Sequence, residues 1–350
     1  MAAKDRQSKL HHYVPQGYLR AFANDRDQIR VVPLAASRTP FTTAVKNVAA
    51  QNHFHTTEEF EDEPDWFERA LSGLEGEALR RIDGFERGAF PPSEEDRWGL
   101  SYFMALQSVR GPDTRRTLEH LQASMARLEI GAGGRQGVRA WIRRNLGVEP
   151  SPELEERIWA EATQPGGPPV SFRNSVHIEH TVETASELMP YFATRPWTLV
   201  RFDRRSLITS DAPVSLIRHP DVEDWQGVGF LTAWGIALPL TRKLGLLMSD
   251  PLIALEGLDA DDPRVQERRA LVLRGALDHI ESGTTAHEKL FNEHTAHSAR
   301  EYIYLHPEDE RFIPPNLPEP NLINVHPMGS LIDMDFDGEP LFRPETPGGH

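Results

Sequence analysis

The chain has 350 residues and no cysteine, and its 53 acidic against 38 basic side chains leave a formal charge of −15. That length allows one large domain or two ordinary ones, and the absence of thiols excludes disulfides, thiolate metal sites, iron–sulfur clusters and cysteine nucleophiles. The acidic balance argues against a whole-surface attraction to nucleic acid, which needs clustered Lys and Arg. No apolar run approaches the roughly 20 residues that span a bilayer, and residues 1–9 lack the apolar stretch of a secretory signal. A cytoplasmic protein with no membrane partner is the expectation.

In chain order, residues 1–10 read as a flexible start. Residues 11–24 (HHYVPQGYLRAFAN) read as an extended arm and a short helix from Pro15. Gln28 to Leu34 and Phe41 to Val45 read as strands, and Asn52 to His55 alternates like a third. An acidic loop at 58–65 precedes a long helix. Its apolar stripe is Trp66, Ala70, Leu74, Ala78 and Ile82, with Phe67 and Leu71 beside it. Ser93 is the expected N-cap of a heavily buried helix through Leu100, Phe103, Met104, Leu106 and Val109, broken at Gly111-Pro112. A further helix runs from Asp113 to about Leu128, and Gly131 to Gly137 reads as an interhelical loop. That loop lacks the glycine spacing and the preceding strand of a dinucleotide fingerprint. Ser151-Pro152 opens another helix, with the serine as cap, and Gly166 to Pro169 is a hinge. The next helix carries His177, His180 and Glu183 and ends before Pro196.

Short β-type runs follow at 197–201, 206–209, 235–238 and 244–248. Helices are expected near 263–280 and 285–299, the second opened by a Thr285/Glu288 capping box. Glu301 to Leu305 is a closing strand, and 306–350 a Pro-rich tail. The order predicts an α+β fold: a short mixed sheet formed by the N- and C-terminal parts, with a large central helical block at about 62–195. Residues 11–305 are then a single domain.

The chemistry lies in the polar groups beside these apolar elements. His177, His180 and Glu183 share a helix face, as do His294 and His297. His53 and His55, two apart on a strand, point to one side. Such imidazole–carboxylate sets suit a divalent metal, although for His177, His180 and Glu183 a solvated helix face outweighs that reading. Ser206 to Val214 is a strand ending in Thr209-Ser210-Asp211 before Pro213. Asp211 there is either a catalytic carboxylate reaching a cleft or the acceptor of an Asx turn. Gln107 and Arg110 are three apart and face one pocket, where the arginine serves as an anion clamp or a helix-end cation. Arg115, Arg116, Arg135, Arg139, Arg143 and Arg144 are crowded in sequence, and a solvated helical face outweighs a local nucleic-acid patch there.

HHYVPQGYLRAF, WFERALSGLEGEA with Glu68 and Glu75, FMALQSVRGP, LITSDAPV, GIALPLTRKLGLLM and the stretch from Asn292 to Tyr304 resemble, in order, segments of a bacterial family known as domain of unknown function 4238. The resemblance covers roughly residues 10–305. It departs at Gly17 and Ala212, where the family more often carries an aromatic and an asparagine. It implies a bacterial cytoplasmic protein without an assigned reaction, and it groups His12, Gln16, Gln107, Arg110, Asp211 and Asn292 in one arrangement.

Two readings follow. In the first, the protein is a hydrolase-type enzyme acting on a phosphodiester or another anionic substrate in bacterial defence. His12 is then the general base or a metal ligand, and Asp211 orients it or binds the metal. Gln16, Gln107, Arg110 and Asn292 bind a substrate that is an anionic small molecule or a nucleic acid. A divalent metal is the one cofactor such donors suggest. In the second, a non-catalytic binding or scaffold module uses the same cluster to pin the arm to the core. Both place His12 against the turn at 210–213.

Overall fold

The computed structural model describes residues 10–57, 65–223, 227–250, 257–323 and 334–341. Residues 1–9 of the start, most of the acidic loop at 58–65 and much of the Pro-rich tail lie outside the described residues, while Leu10, expected in the flexible start, is in a strand.

The arm forms β1 (Leu10–His12) and α1 (Gln16–Arg20), followed by β2 (Gln28–Pro33), β3 (Phe41–Ala44) and β4 (Ala50–Asn52). The central helices are α2 (Trp66–Glu86), α3 (Glu94–Val109), α4 (Pro112–Leu146), α5 (Pro152–Thr163) and α6 (Asn174–Ala193). The remainder runs β5 (Trp197–Arg201), β6 (Thr209–Ser210), β7 (Ser215–Ile217), β8 (Gly235–Pro239), β9 (Leu244–Ser249), α7 (Pro263–Leu273), β10 (His279–Ser282), α8 (Thr285–Ser298) and β11 (Tyr302–Leu305). The class is α+β, with the helical block central.

Strands from both ends of the chain share one antiparallel sheet, ordered β3-β2-β11-β6. The mixed sheet is a second one, β10-β5-β9-β8-β7, in which only β10 and β5 run parallel. A small ribbon pairs β1 with β4. The apolar run of β2 reflects burial on both faces. Ile29 and Val31 enter the main core, while Val32 and Leu34 join Ile208, Ala296, Ile303 and Leu305 in a second cluster, as the two-residue period of a strand dictates.

Local signals were good guides to the helix starts. Ser93 Oγ accepts the Asp96 N–H at 3.1 Å, and Ser151 Oγ accepts the Leu154 N–H at 3.2 Å. The last helix differs: its cap is Thr284, boxed with His287 rather than Glu288. In α2 the buried face is Phe67, Leu71, Ala78, Ile82 and Phe85, whereas Ala70 is exposed. A strict four-residue spacing winds around a helix of 3.6 residues per turn, so the buried stripe mixes steps of three and four. The helix expected near 263–280 stops at Leu273, and the chain returns as β10, an edge strand. The strand expected at 52–55 is instead β4, and His53 turns the chain with φ +56°. His53 is exposed and His55 buried, so the two histidines do not share a face.

The chain divides into two compact units, residues 1–112 with 174–321 and residues 113–173 with 322–350. In the first, α3 packs along α6, and Arg97 pairs with Asp278 over the Trp197 ring, with both charged side chains fully buried. In the second, Ile130, Val138, Ile142, Trp159 and Ala162 form the core. The glycine-rich segment expected as a loop is helical apart from Gly134, whose φ of +64° breaks α4. A side chain there would lie 2.7 Å from the Pro340 nitrogen. The described part of the tail follows α4, with the Arg135 N–H on the Gly338 carbonyl and the Leu341 N–H on that of Ala132. No described helix is long and apolar enough to cross a membrane.

Candidate functional site

The β1–β4 ribbon decides where the paired histidines go. His11 and His12 sit opposite Gln51 and Ala50, and consecutive strand residues face opposite ways. His11 turns toward His55, which the bend at His53 folds inward. Its Nδ1 accepts the His55 main-chain N–H at 2.8 Å, and the two rings stack with centroids 5.7 Å apart. Phe54 and Phe67 meet the His55 ring edge-on. Glu68, on the first turn of α2, lies 2.6 Å from His55 Nδ1.

Proton positions follow from these bonds. Burial by itself raises the Glu68 carboxyl, but the His55 hydrogen bond and the charges of His55, His11 and Arg110 outweigh it, and the net direction is down. An ionised carboxylate only accepts, so the proton of that bond is on His55 Nδ1. His11, whose Nδ1 accepts, carries its proton on Nε2, 3.7 Å from Asp65 Oδ1. His11, His55 and Glu68 bring ligand-type atoms within 4.8 Å of one another, a spacing that suits a divalent cation. His55 Nε2 and a Glu68 oxygen fit that role. The His11 Nδ1 lone pair is committed to a main-chain N–H, so a third ligand would require its ring to turn. As built, the trio is an acid–base array.

His12 is placed by α1. Arg20 donates to Gln16 Oε1, which turns the Gln16 amide nitrogen toward His12 Nδ1 at 3.3 Å. The His12 ring proton is therefore on Nε2. That atom is buried without a hydrogen-bond partner; the Lys46 main chain faces the ring without completing a bond. Burial, then the charges of Arg110 and His11, lower the His12 pKa against the opposing Lys46 main chain and Glu68. The ring is neutral at pH 7 and donates a hydrogen bond from Nε2.

Arg110 caps the C-terminus of α3 and joins the elements around it. Its Nε donates to the Tyr13 carbonyl at 2.7 Å, Nη1 to Glu75 Oε1 at 2.6 Å and Nη2 to Gln107 Oε1 at 3.4 Å. Burial raises the Glu75 carboxyl, and Arg110 opposes it. Gln107 and Arg110 are joined in one buried polar contact, and Gln107 Nε2 is buried there with no acceptor. A side chain at Gly17 would land on Leu79 of α2, which occupies the space an aromatic would need.

The remaining predicted residues sit in other contacts. Asp211 accepts the main-chain N–H groups of Arg300, Glu301 and Tyr302 at 2.8, 2.8 and 3.1 Å, and so ties the start of β11 to the end of β6. The arm reaches this region through Tyr18, whose hydroxyl meets Thr209 Oγ1 at 2.8 Å and donates to the Pro239 carbonyl. Tyr13 is near enough for the Asp211 charge to help burial raise its phenol. Asn292 accepts from the Ile208 N–H and donates to Ser206, Glu288 and Phe312. His177 is buried, His180 half-buried and Glu183 exposed, so this trio does not converge. Sequence reading missed the His11–His55–Glu68 trio. Its visible signals were the doubled histidine and the glutamate one residue after Phe67.

An α+β protein with a buried imidazole, carboxylate and guanidinium cluster beneath its N-terminal arm is the class these observations define. The chain belongs to the family described as protein of unknown function (DUF4238), whose model matches residues 10–309. That span takes in the arm, Arg110, Asp211 and β11. No curated protein and no solved structure matches the chain.

Proposed function

We propose that the protein is a hydrolase-type enzyme acting on an anionic substrate, with a phosphodiester the class that best suits its donors. One observation carries the reading: beside Arg110, Gln107 Nε2 is a buried donor with no acceptor, and His12 Nε2 has only the poorly aligned Lys46 main chain. Leaving a buried donor unpaired costs about 1–3 kcal/mol, and substrate oxygens would satisfy both. In the reaction, His55 Nε2 takes a proton from water, held in that tautomer by Glu68. The water oxygen bonds to phosphorus, and the phosphorus–oxygen bond to the leaving alcohol breaks. The leaving alkoxide takes that proton back from His55, which returns to its starting state, while the neutral His12 N–H donates a hydrogen bond to the same oxygen. The Gln107 amide and Arg110 oppose the charge on the non-bridging oxygens. Asp211 and Asn292 act as anchors that hold the surrounding strands.

The test is hydrolysis of bis(p-nitrophenyl) phosphate by wild type and His12→Gln. Loss of the ring N–H donor lowers kcat by about 10²–10³-fold with melting unchanged. Wild type that turns over nothing, in a panel of phosphodiesters and carboxylic esters, would defeat the reading. The second reading, a scaffold that pins the arm, is favoured by the near-complete burial of His11, His55 and Arg110. It predicts lowered melting for His12→Gln and no turnover in either protein.

A further inference from the structure

A second polar site lies away from the arm, between the turn after β5, the outer face of α8 and the segment that follows β11. It is a cavity of about 610 Å³ whose walls include Arg204, Arg205, Lys289 and Arg311 against Glu288 and Glu293. In a chain of net charge −15, four cations against two carboxylates mark a local reversal of sign.

Of the two acids, only Glu293 is left to offset the other three cations. Glu288 is buried and already engaged, taking Arg205 Nη1 at 2.9 Å and Asn292 Nδ2 at 2.9 Å. Arg204, Lys289 and Arg311 are exposed and make no ion pair among the described residues. The Arg311 guanidinium lies over the Phe312 ring, 4.8 Å from its centroid. Close by, at the β8–β9 turn, the Lys243 ammonium is pushed down first by burial and then by Arg242 and Arg311, against Asp309 and Asp203.

The frame is built before any ligand arrives. Asn292, 1 % exposed, binds the main chain at Ser206, Ile208 and Phe312 as well as Glu288. One side chain thus fixes the three segments that carry the cations, which is how a preorganised site is held. Phe312 and Pro314 supply an apolar wall. The volume lies within the roughly 300–1,000 Å³ of small-molecule sites, and the basic patch is too local to track a polynucleotide backbone.

We propose that this cavity binds a small phosphorylated molecule, with its phosphate oxygens held by Arg204, Lys289 and Arg311 and its body against Phe312. The site shares no residue with the arm cluster and stands whether or not the hydrolase reading does. Isothermal titration at low salt with inorganic diphosphate, ADP, adenosine and a single-stranded 20-mer tests it. Diphosphate and ADP should bind, more weakly as salt rises, and adenosine should not. ADP tighter than diphosphate identifies a nucleotide-like body on Phe312; equal affinities identify the free phosphate as the ligand. The triple variant Arg204→Gln, Lys289→Gln, Arg311→Gln should bind at least 10-fold more weakly, while Arg80→Gln, a charge loss elsewhere, should not. If the triple variant fails to fold, Lys289→Gln and Arg204→Gln singly should each weaken binding several-fold. The proposal fails if neither phosphate compound binds, if these variants bind as wild type does, or if only the 20-mer binds.

Discussion

At His12 the ring is buried, neutral and protonated on Nε2, and its charge state carries a pH signature. The unfolded ring titrates near 6.5 and the folded one lower, so the unfolded chain binds more protons between those values, and stability falls as pH drops below 6.5. Glu68 adds a loss lower down: its folded carboxyl sits below the ordinary 4.5, and the stability it contributes above 4.5 disappears as pH falls through the folded value. Glu75, raised by burial, works the other way. An NMR titration should therefore give His12 a value below 6.5, and His12→Gln should flatten the melting loss that begins just under that pH. A His12 value above 6.5 would contradict the geometry. At Asp211 both oxygens accept main-chain N–H groups, and Asp211→Asn sets an amide N–H₂ against at least one of them. The expected cost is about 1–3 kcal/mol, read as a lower melting temperature with unchanged turnover per folded molecule. Turnover lost at unchanged melting would return Asp211 to the catalytic group.

Among the elements, Arg110 joins the end of α3 to the arm and to α2. The Arg110–Glu75 pair is nearly buried, with side-chain exposures of 1 % and 20 %. Arg110→Ala strands the Glu75 charge and should cost about 3–5 kcal/mol, whereas adding Glu75→Gln should restore part of it in a double-mutant cycle by chemical denaturation. Additive effects would mean the pair is not coupled. What could be read here from sequence was local. The Gln107/Arg110 spacing and the Ser93 and Ser151 caps depend only on residues a few positions apart. The Arg110 partner, Glu75, lies 35 positions away, and no local spacing marks it. The His11–His55 contact was hidden because it depends on the positive φ at His53, a conformation uncommon for a side-chain-bearing residue. Arg97 and Asp278, 181 positions apart, meet only because α3 packs beside the start of β5, and no periodicity marks that.

Over the whole molecule, the α+β class was legible because blocks of different period follow one another in the chain, and the sheet shared by both ends was anticipated from its apolar strands. The second sheet was not separated from it, since short strands look alike until their registers are known. The arginines crowded in the second unit are largely spent on neighbours: Arg135 on Glu156, Arg139 on Glu155, Arg143 on Glu149 and Arg144 on Glu129. A solvated, paired helix face accounts for them. The proposed chemistry therefore rests on the arm cluster, with His55 moving the proton and His12 donating a hydrogen bond. The most direct test is the pH dependence of kcat/KM for bis(p-nitrophenyl) phosphate in wild type and His12→Gln. Wild type should lose activity as pH falls, because a base that is already protonated accepts nothing, and His12→Gln should be slower at every pH. Superimposable profiles for the two proteins would contradict the account.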